Sequence, residues 1–358
     1  MFGRQWFRTS SQYGLSPAAI RYDRLLRSHE FIKAYDVLQV HESEDYSYWL
    51  RRHVQLKAVL KRKTGHSLPV FVYFEGFWPE FDVNNNQFLD LLRFAFPETT
   101  IQSTSQRSEA SISISSCYGA PNASMPVNDT SVRILFLGEN VRPHYDIYDY
   151  SLTCDPWLYG ARNICLPLWL LEIDFMQSGK SYPDRVTYPV RAFAVDTEYD
   201  YSKRLSAAVY VGNNAEPFRE ALMSELMDKG VPVERYGSHS RPVTDKLSLL
   251  KEYKLTICPE NSIGDGYITE KPMHGYLSGC TSLYRSGINT GPLDFMGSGL
   301  FLMPAGSSQD NLRNVCERAR ALLQLRSVRC KPLLDEASYK VFFDQLVLRL
   351  RQSLGWMV

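Results

Sequence analysis

The strongest constraint on the fold is a regular alternation of strand and helix patterns between residues 207 and 284. Short apolar runs predict strands at 207–211, 231–236, 254–258 and 281–284, and the segments between them predict helices at 217–227, 245–253 and 269–277. Strands that alternate with helices through short connections form a parallel sheet covered on both faces. The pattern therefore predicts a doubly wound α/β domain that binds its ligand where the strands end.

A second α/β domain is predicted upstream, with strands at 69–74, 111–115 and 133–137 and a helix at 86–96. The 358 residues also exceed what one hydrophobic core usually serves. We therefore predict two Rossmann-like domains facing a cleft, with C-terminal helices. The chain is predicted to begin with a basic, helical extension at 1–65. The N-terminal domain follows at 66–185 and the C-terminal domain at 186–310. Basic, amphipathic helices at 311–358 end the chain.

The charge is unevenly distributed along the chain. Residues 1–65 hold 12 Lys and Arg against 6 Asp and Glu, and residues 311–358 hold 9 against 4, in a chain with totals of 40 and 39. The middle is therefore acidic, which argues against a nucleic-acid-binding module. The last stretch combines an apolar stripe with arginines, which predicts either a helix lying on a membrane surface or a helix docked on the protein.

The first residues contain no apolar run typical of an export signal. Seven scattered cysteines without a Cys-x-x-Cys pair predict reduced thiols rather than a zinc site or a disulfide scaffold, so no metal site is expected. These features favour the cytoplasm over a secretory lumen, and the two glycosylation sequons at 122–124 and 128–130 are interpreted as chance.

The most polar stretch, residues 259–271, follows a predicted strand. Thr269 is predicted to cap the next helix, which places Glu270 and Lys271 in the first turn, where an anion is stabilised. A lysine there indicates a negative partner such as a diphosphate. Arg219, early in the helix after strand 207–211, is a second candidate cation. The alternatives are a capped surface loop and a solvated arginine.

Two candidates follow strands of the first domain. Glu139 lies in the abrupt turn Gly138-Glu139-Asn140, where a carboxylate facing the cleft suits a general base. Trp78 could offer its apolar face to a sugar ring. An ordinary turn glutamate and a core tryptophan are the simpler interpretations.

Together these residues resemble the α-1,3-fucosyltransferases of glycosyltransferase family 10. The resemblance covers about residues 69–305 and rests on two motifs in register, with supporting residues at 210–213, 219 and 253–254 between them. The first motif begins at Gly138-Glu139-Asn140 and continues to Tyr150. The second combines Glu260-Asn261 with Tyr267-Ile268-Thr269-Glu270-Lys271.

The resemblance implies a GT-B fold and an inverting transfer of fucose from GDP-fucose to a glycan hydroxyl, most often α-1,3 to a GlcNAc-type or glucose-type residue. The N-terminal domain would hold the acceptor, with Trp78 contributing, and Glu139 would be the catalytic base. The C-terminal domain would bind the donor. Arg219 and Lys271 would neutralise the diphosphate, and Asn261, Tyr267 and Glu270 would contact nucleotide, ribose or fucose. No cofactor would be obligatory, and stimulation by a divalent metal is left open.

The chain also departs from the family pattern. Cys258-Pro259 precedes Glu260 where the family has a phenylalanine, and Arg285 stands where an aromatic residue is usual. A different GDP-sugar donor and a non-catalytic glycan-binding or nucleotide-sugar-binding protein therefore remain alternatives. The basic ends motivate the hypothesis of peripheral contact with an anionic cytoplasmic membrane face.

Overall fold

The computed structural model describes residues 69–118, 131–143, 145, 148–157, 159, 162–177, 179, 182–213, 216–237, 241–303 and 308–355. They form two compact units. The first comprises the described residues up to Leu166 together with 182–186 and those from Phe343 on. The second comprises residues from Pro167 to 179 and from Thr187 to Phe342. The predicted extension 1–65 lies outside the described residues.

The first unit is built on a six-stranded, all-parallel sheet with the order β2-β1-β3-β4-β5-β6. Its strands are β1 Val70–Glu75, β2 Ile101–Ser103, β3 Ile112–Ser116, β4 Val132–Leu137, β5 Tyr150–Thr153 and β6 Asn163–Cys165. The three strands and the helix predicted for this domain are confirmed. The central strands β3, β4 and β5 are buried along their whole length, as expected for a parallel sheet.

Helix α1, Gln87–Ala95, connects β1 to β2. It begins after Asn86, whose side chain accepts a hydrogen bond from the Leu89 backbone N–H and so caps the helix. Its apolar face includes Phe88, Leu91 and Leu92, which are buried. The helix therefore forms where an N-cap and an amphipathic run coincide.

The second unit contains a five-stranded parallel sheet with the order β12-β11-β10-β8-β9. Its strands are β8 Leu205–Val211, β9 Val233–Tyr236, β10 Tyr253–Ile257, β11 Thr281–Leu283 and β12 Phe301–Leu302. Helices α2 Pro217–Asp228, α3 Lys246–Lys251 and α4 Lys271–Ser278 follow strands 8, 9 and 10. The predicted alternation of strand and helix is confirmed. β7 Thr197–Asp200 pairs antiparallel with β13 Ser327–Cys330.

The remaining described helices are α5 Phe295–Ser298, α6 Gln309–Leu322 and α7 Glu336–Leu354. The described residues of the predicted C-terminal segment 311–358 are divided between the two units. Helix α6 contributes Leu312, Val315 and Cys316 to the core of the second unit, whereas α7 belongs to the first unit from Phe343 on.

The apolar stripe of α7 is buried in the protein. Its buried members are Tyr339, Phe343, Leu346, Leu350 and Leu354. Within the first unit, the Phe343 ring packs edge-on against Phe94, with 5.2 Å between centroids. Of the two interpretations of this stripe, the docked helix is therefore confirmed. In the described part of the chain, no helix is both long enough and apolar enough to cross a bilayer.

Candidate functional site

A cavity of about 110 Å³ opens at the carboxyl ends of β8 and β10, within the second unit. Tyr210 and Val211 line it from the end of β8, and Thr256 and Ile257 from the end of β10. Its remaining lining residues are Gly212, Asn213, Arg219, Lys246, Cys258, Pro259, Asn261, Glu270 and Lys271. The parallel topology thus gathers four of the predicted donor-site residues, Arg219, Asn261, Glu270 and Lys271.

Arg219 is buried beside this cavity with 4% of its surface exposed. Its Nη2 donates to the Pro259 carbonyl at 2.8 Å and to Asn261 Oδ1 at 2.6 Å, and its Nη1 donates to the Tyr210 hydroxyl at 3.4 Å. All three acceptors are neutral, and its Nε has no partner. Among the described residues, no carboxylate lies within ion-pair distance of this guanidinium, so its charge remains available to an anion.

Local structure fixes the position of Arg219. Helix α2 begins with Pro217, and the Glu216 carboxylate caps it by accepting the backbone N–H groups of Phe218 and Arg219. Gly212 allows the Tyr210 side chain to lie against the backbone, since a Cβ at 212 would be 2.7 Å from the tyrosine hydroxyl. The strand end and the start of the helix therefore hold the arginine together.

Lys271 also lines the cavity, but it has a carboxylate partner within the protein. Its Nζ lies 2.6 Å from Oε2 of Glu260, whose side chain is fully buried. The same carboxylate accepts the backbone N–H and the hydroxyl of Thr269 and the hydroxyl of Tyr284. Four donor groups thus converge on Glu260 and orient Lys271.

The prediction that Thr269 caps the helix is wrong. Helix α4 starts at Lys271, Glu270 is its N-cap residue, and no side chain makes the capping hydrogen bond. The Thr269 hydroxyl binds Glu260 instead, 2.9 Å from Oε2. Lys271 therefore has a carboxylate partner within the protein, and its contact with a diphosphate stays a prediction.

Glu270 is held by Lys246, whose Nζ lies 3.0 Å from Oε1. Burial alone raises the pKa of Glu270, but attraction to Lys246, Lys271 and His274 outweighs it and keeps this pKa well below its usual range. Burial likewise opposes the charge of Lys246, yet Glu270 raises the pKa of that lysine. Both groups are therefore ionised at neutral pH.

The remaining predicted donor-site residue is Tyr267, and the departures from the family pattern include Pro259 and Arg285. Tyr267 is buried with 1% exposure and is not among the residues lining the cavity, so its contact with a donor stays a prediction. Pro259 contributes its carbonyl to Arg219. Arg285 lies over the Phe218 ring, with its guanidinium 4.3 Å from the centroid. It therefore stands beside α2 rather than among the lining residues.

The candidates of the first unit lie at the carboxyl edge of its sheet. Glu139 is exposed in the turn after β4, where its carbonyl accepts the Val141 backbone N–H. Trp78 is half-buried beyond β1, and its Nε1 donates to Asp184 Oδ2 at 3.0 Å. The Arg185 guanidinium lies 5.2 Å from the centroid of its ring. The roles of Glu139 and Trp78 as catalytic base and acceptor contact stay predictions.

Sequence reasoning missed two participants in the site. Glu260 was recognised only as part of a motif, although a carboxylate beside Asn261 at a strand end could have marked it as a partner for Lys271. Lys246 follows the helix cap Asp245 and looks like an ordinary first-turn residue. In the described part of the chain, no three His, Cys, Asp or Glu side chains group as metal ligands would.

The comparisons with known proteins find similarity to α-(1,3)-fucosyltransferases. Residues 72–172 match the family described as Alpha-(1,3)-fucosyltransferase FucT N-terminal domain. Alpha-(1,3)-fucosyltransferase FucT of Helicobacter pylori is 26% identical in an alignment of 176 residues that covers 42% of this chain and 37% of that protein. The chain thus spans little more than a third of the length of this curated relative.

The fold comparison covers more of the chain. A crystal structure of α1,3-fucosyltransferase with GDP matches with a TM-score of 0.55 at 19% identity, over 82% of this chain and 92% of that one. A crystal structure of α1,3-fucosyltransferase with GDP-fucose matches with a TM-score of 0.54 at 17% identity, over 81% of this chain and 92% of that one. The predicted α/β fold class with parallel sheets and the resemblance to α-1,3-fucosyltransferases are confirmed.

Proposed function

We propose that this chain, whose residues 72–172 match the family described as Alpha-(1,3)-fucosyltransferase FucT N-terminal domain, is an inverting glycosyltransferase that moves fucose from GDP-fucose to a hydroxyl of a glycan. The observation that carries the proposal is Arg219, a buried guanidinium with neutral partners beside a cavity that Lys246 and Lys271 also line. Such a cavity suits a diphosphate, because phosphate oxygens can accept hydrogen bonds and balance the charge. The solved relatives bound to GDP and GDP-fucose support the donor class.

In the proposed reaction, the cavity stabilises the leaving group. As the bond between the anomeric carbon and the β-phosphate oxygen breaks, negative charge grows on GDP and the sugar becomes oxocarbenium-like. Arg219 and Lys271 stabilise that growing charge because they are already in position when it develops. Glu260 keeps Lys271 oriented, and Lys246 compensates the charge of Glu270, so Glu270 does not repel the diphosphate. No cofactor is needed for this step, and stimulation by a divalent metal stays a prediction.

Glu139 is the proposed general base. It accepts the proton of the acceptor hydroxyl as that oxygen attacks the anomeric carbon from the side opposite to GDP, which inverts the configuration. An exposed carboxylate after a strand of the first unit has the required access to an acceptor. The acceptor hydroxyl is proposed to belong to a GlcNAc-type or glucose-type residue, with an α-1,3 linkage in the product.

The first experiment is calorimetric titration of the full chain with GDP, GDP-fucose, GDP-mannose and UDP-sugars, followed by transfer assays on an acceptor panel with linkage analysis. We expect GDP and GDP-fucose to bind and fucose to be transferred. If no GDP-linked ligand binds, the proposal fails. Binding of GDP-fucose without transfer to any acceptor would favour the non-catalytic alternative.

The second experiment separates the roles of two residues. Glu139→Gln should reduce kcat by roughly 10²–10⁴-fold with GDP affinity unchanged, because only the base is lost. Lys271→Met should weaken GDP binding as well as turnover. Near wild-type turnover in Glu139→Gln would remove Glu139 from the mechanism, and circular dichroism of both variants verifies the fold.

A different GDP-sugar is the second candidate donor. It is favoured by Arg285, which replaces the usual aromatic residue with a cation and lies over Phe218 at the start of α2. This alternative predicts that another GDP-sugar competes better than GDP-fucose in the same titration. The proposed location is cytoplasmic, with peripheral contact at the inner membrane face through basic segments.

A further inference from the structure

Tyr118 lies at the carboxyl edge of the first unit's sheet, two residues beyond the end of β3. It is 44% exposed, which is high for an aromatic ring that packs against another. Its ring meets the Trp78 ring edge to face, with 5.4 Å between centroids and an interplanar angle of 82°. Two large aromatic rings from different loops therefore stand together at the sheet edge where Glu139 also lies.

The Tyr118 ring is in close contact with the backbone that carries Glu139. A Cβ placed on Gly138 would be 3.0 Å from Cε2 of Tyr118 and 3.1 Å from its hydroxyl. With no side chain at 138, the ring packs closer to this backbone than most side-chain contacts would allow. The ring is thus a direct neighbour of the residue proposed as the base.

Trp78 is fixed from several sides. Its indole N–H donates to Asp184, and the Arg185 guanidinium lies near its ring. Phe81 packs edge-on against it at 5.3 Å and stacks on Phe77 with 4.0 Å between centroids. These contacts hold the Trp78 ring in place, and the more exposed Tyr118 ring packs against it.

Sugars present a face of C–H groups that packs on aromatic rings, while their hydroxyls remain directed to the sides. We infer that Tyr118, together with Trp78, forms an aromatic platform that binds the apolar face of the acceptor sugar beside Glu139. The inference rests on the proposed function, since it assigns the acceptor-binding residues of that reaction. Tyr118 is the new assignment, and its ring rather than its hydroxyl carries the role.

The test compares Tyr118→Ala with the matched control Tyr118→Phe. Covering about 50 Å² of C–H surface corresponds to roughly eight-fold in affinity. We therefore expect Tyr118→Ala to raise the acceptor KM about eight-fold and Tyr118→Phe to change it less than two-fold. The KM for GDP-fucose should not change in either variant. Binding of methyl β-glycosides of GlcNAc and glucose, measured by saturation-transfer NMR without donor, gives an independent readout.

The outcomes distinguish this inference from the proposed function. An unchanged acceptor KM in Tyr118→Ala, with wild-type transfer intact, would overturn the platform while the function stands. Equal losses in the Phe and Ala variants would also overturn it, because the ring would then not be the binding element. Absence of transfer in the wild-type protein would instead contradict the proposed function. Melting temperatures of the two variants should match, which excludes a folding effect.

Discussion

A guanidinium that is withdrawn from water and hydrogen-bonded only to neutral groups is costly for the folded protein. Arg219 is such a group, with the Pro259 carbonyl, Asn261 and Tyr210 as partners. A residue kept despite this cost is typical of a binding site, where a ligand supplies the missing negative charge. The stability and the affinity of the protein should therefore respond differently to its removal.

We expect Arg219→Met to weaken GDP binding by about a hundredfold, because two charge-assisted hydrogen bonds to phosphate are lost. The free energy of unfolding without ligand should change by no more than about 1 kcal/mol, since an uncompensated buried charge is removed as well. Calorimetric titration and urea unfolding measure the two effects. A large loss of stability with unchanged GDP affinity would show that Arg219 is structural.

At the residue scale, the sequence predicted the types of group in the cavity better than their partners. Arg219, Asn261, Glu270 and Lys271 were recognised because strand ends and helix starts are local signals that place polar side chains at one sheet edge. The pairing of Glu260 with Lys271 lies within one stretch and could have been inferred, but its hydrogen bond with Tyr284 could not, since it joins residues 24 apart in the chain. The capping prediction for Thr269 failed because the buried carboxylate competes for its hydroxyl.

At the element scale, the Lys246–Glu270 ion pair joins the start of α3 to the residue before α4. The lowered pKa of Glu270 means that its contribution to stability is present above the ordinary value of 4.5 and is lost as the pH falls through the folded-state pKa. The raised pKa of Lys246 means that its contribution is present below 10.5 and is lost as the pH rises through its folded-state value. The pair is fully stabilising between these limits.

We therefore expect the difference in unfolding free energy between wild type and Glu270→Gln to be constant from about pH 5.5 to 9.5 and to shrink in acid. Urea unfolding over that pH range provides the measurement. Lys246→Met should show the same constant region with a loss on the alkaline side. A difference that varies across neutral pH would mean that another group controls this pair.

Helix α7 carries a buried and an exposed leucine close together, so the effects of replacing each can be compared within one helix. Leu350 is 1% exposed, whereas Leu348, two residues earlier, is 55% exposed. Leu350→Ala should lower the free energy of unfolding by about 2–5 kcal/mol because it leaves a cavity, and Leu348→Ala should change it by less than about 0.5 kcal/mol. Thermal and urea unfolding of both variants test this. Equal effects would contradict the docking of the apolar stripe.

Hydrophobic periodicity in the sequence predicts some of the strands and helices but not others. The second sheet was predictable because its strands and helices alternate through short connections, so that even the three-residue β11 was identified together with β8 to β10. The short strands β2, β6 and β12 have only two or three residues, which is too few for a period to be seen. For α7, the amphipathic pattern alone could not distinguish a membrane surface from a protein core, because both bury the same face.

At the scale of the whole molecule, the two ends of the chain are basic and the middle is acidic. With the apolar stripe of α7 buried, a membrane contact would depend on the basic residues of the two ends rather than on that stripe. Each basic residue near an anionic surface contributes about 1 kcal/mol, and salt screens that attraction. Residues 311–358 carry 9 Lys and Arg against 4 Asp and Glu, and residues 1–65 carry 12 against 6.

We therefore expect the full chain to sediment with vesicles containing about 30% phosphatidylserine at about 50 mM salt and to be released at about 500 mM, where the Debye length is only a few ångströms. Neutral phosphatidylcholine vesicles should not bind it, since the buried stripe of α7 offers no apolar face to lipid. A triple substitution of Lys61, Arg62 and Lys63 by Glu should weaken the binding, whereas the matched substitution Leu348→Ala should not. Salt-insensitive binding, or none to anionic vesicles at low salt, would contradict electrostatic attachment and leave the proposed transfer reaction untouched.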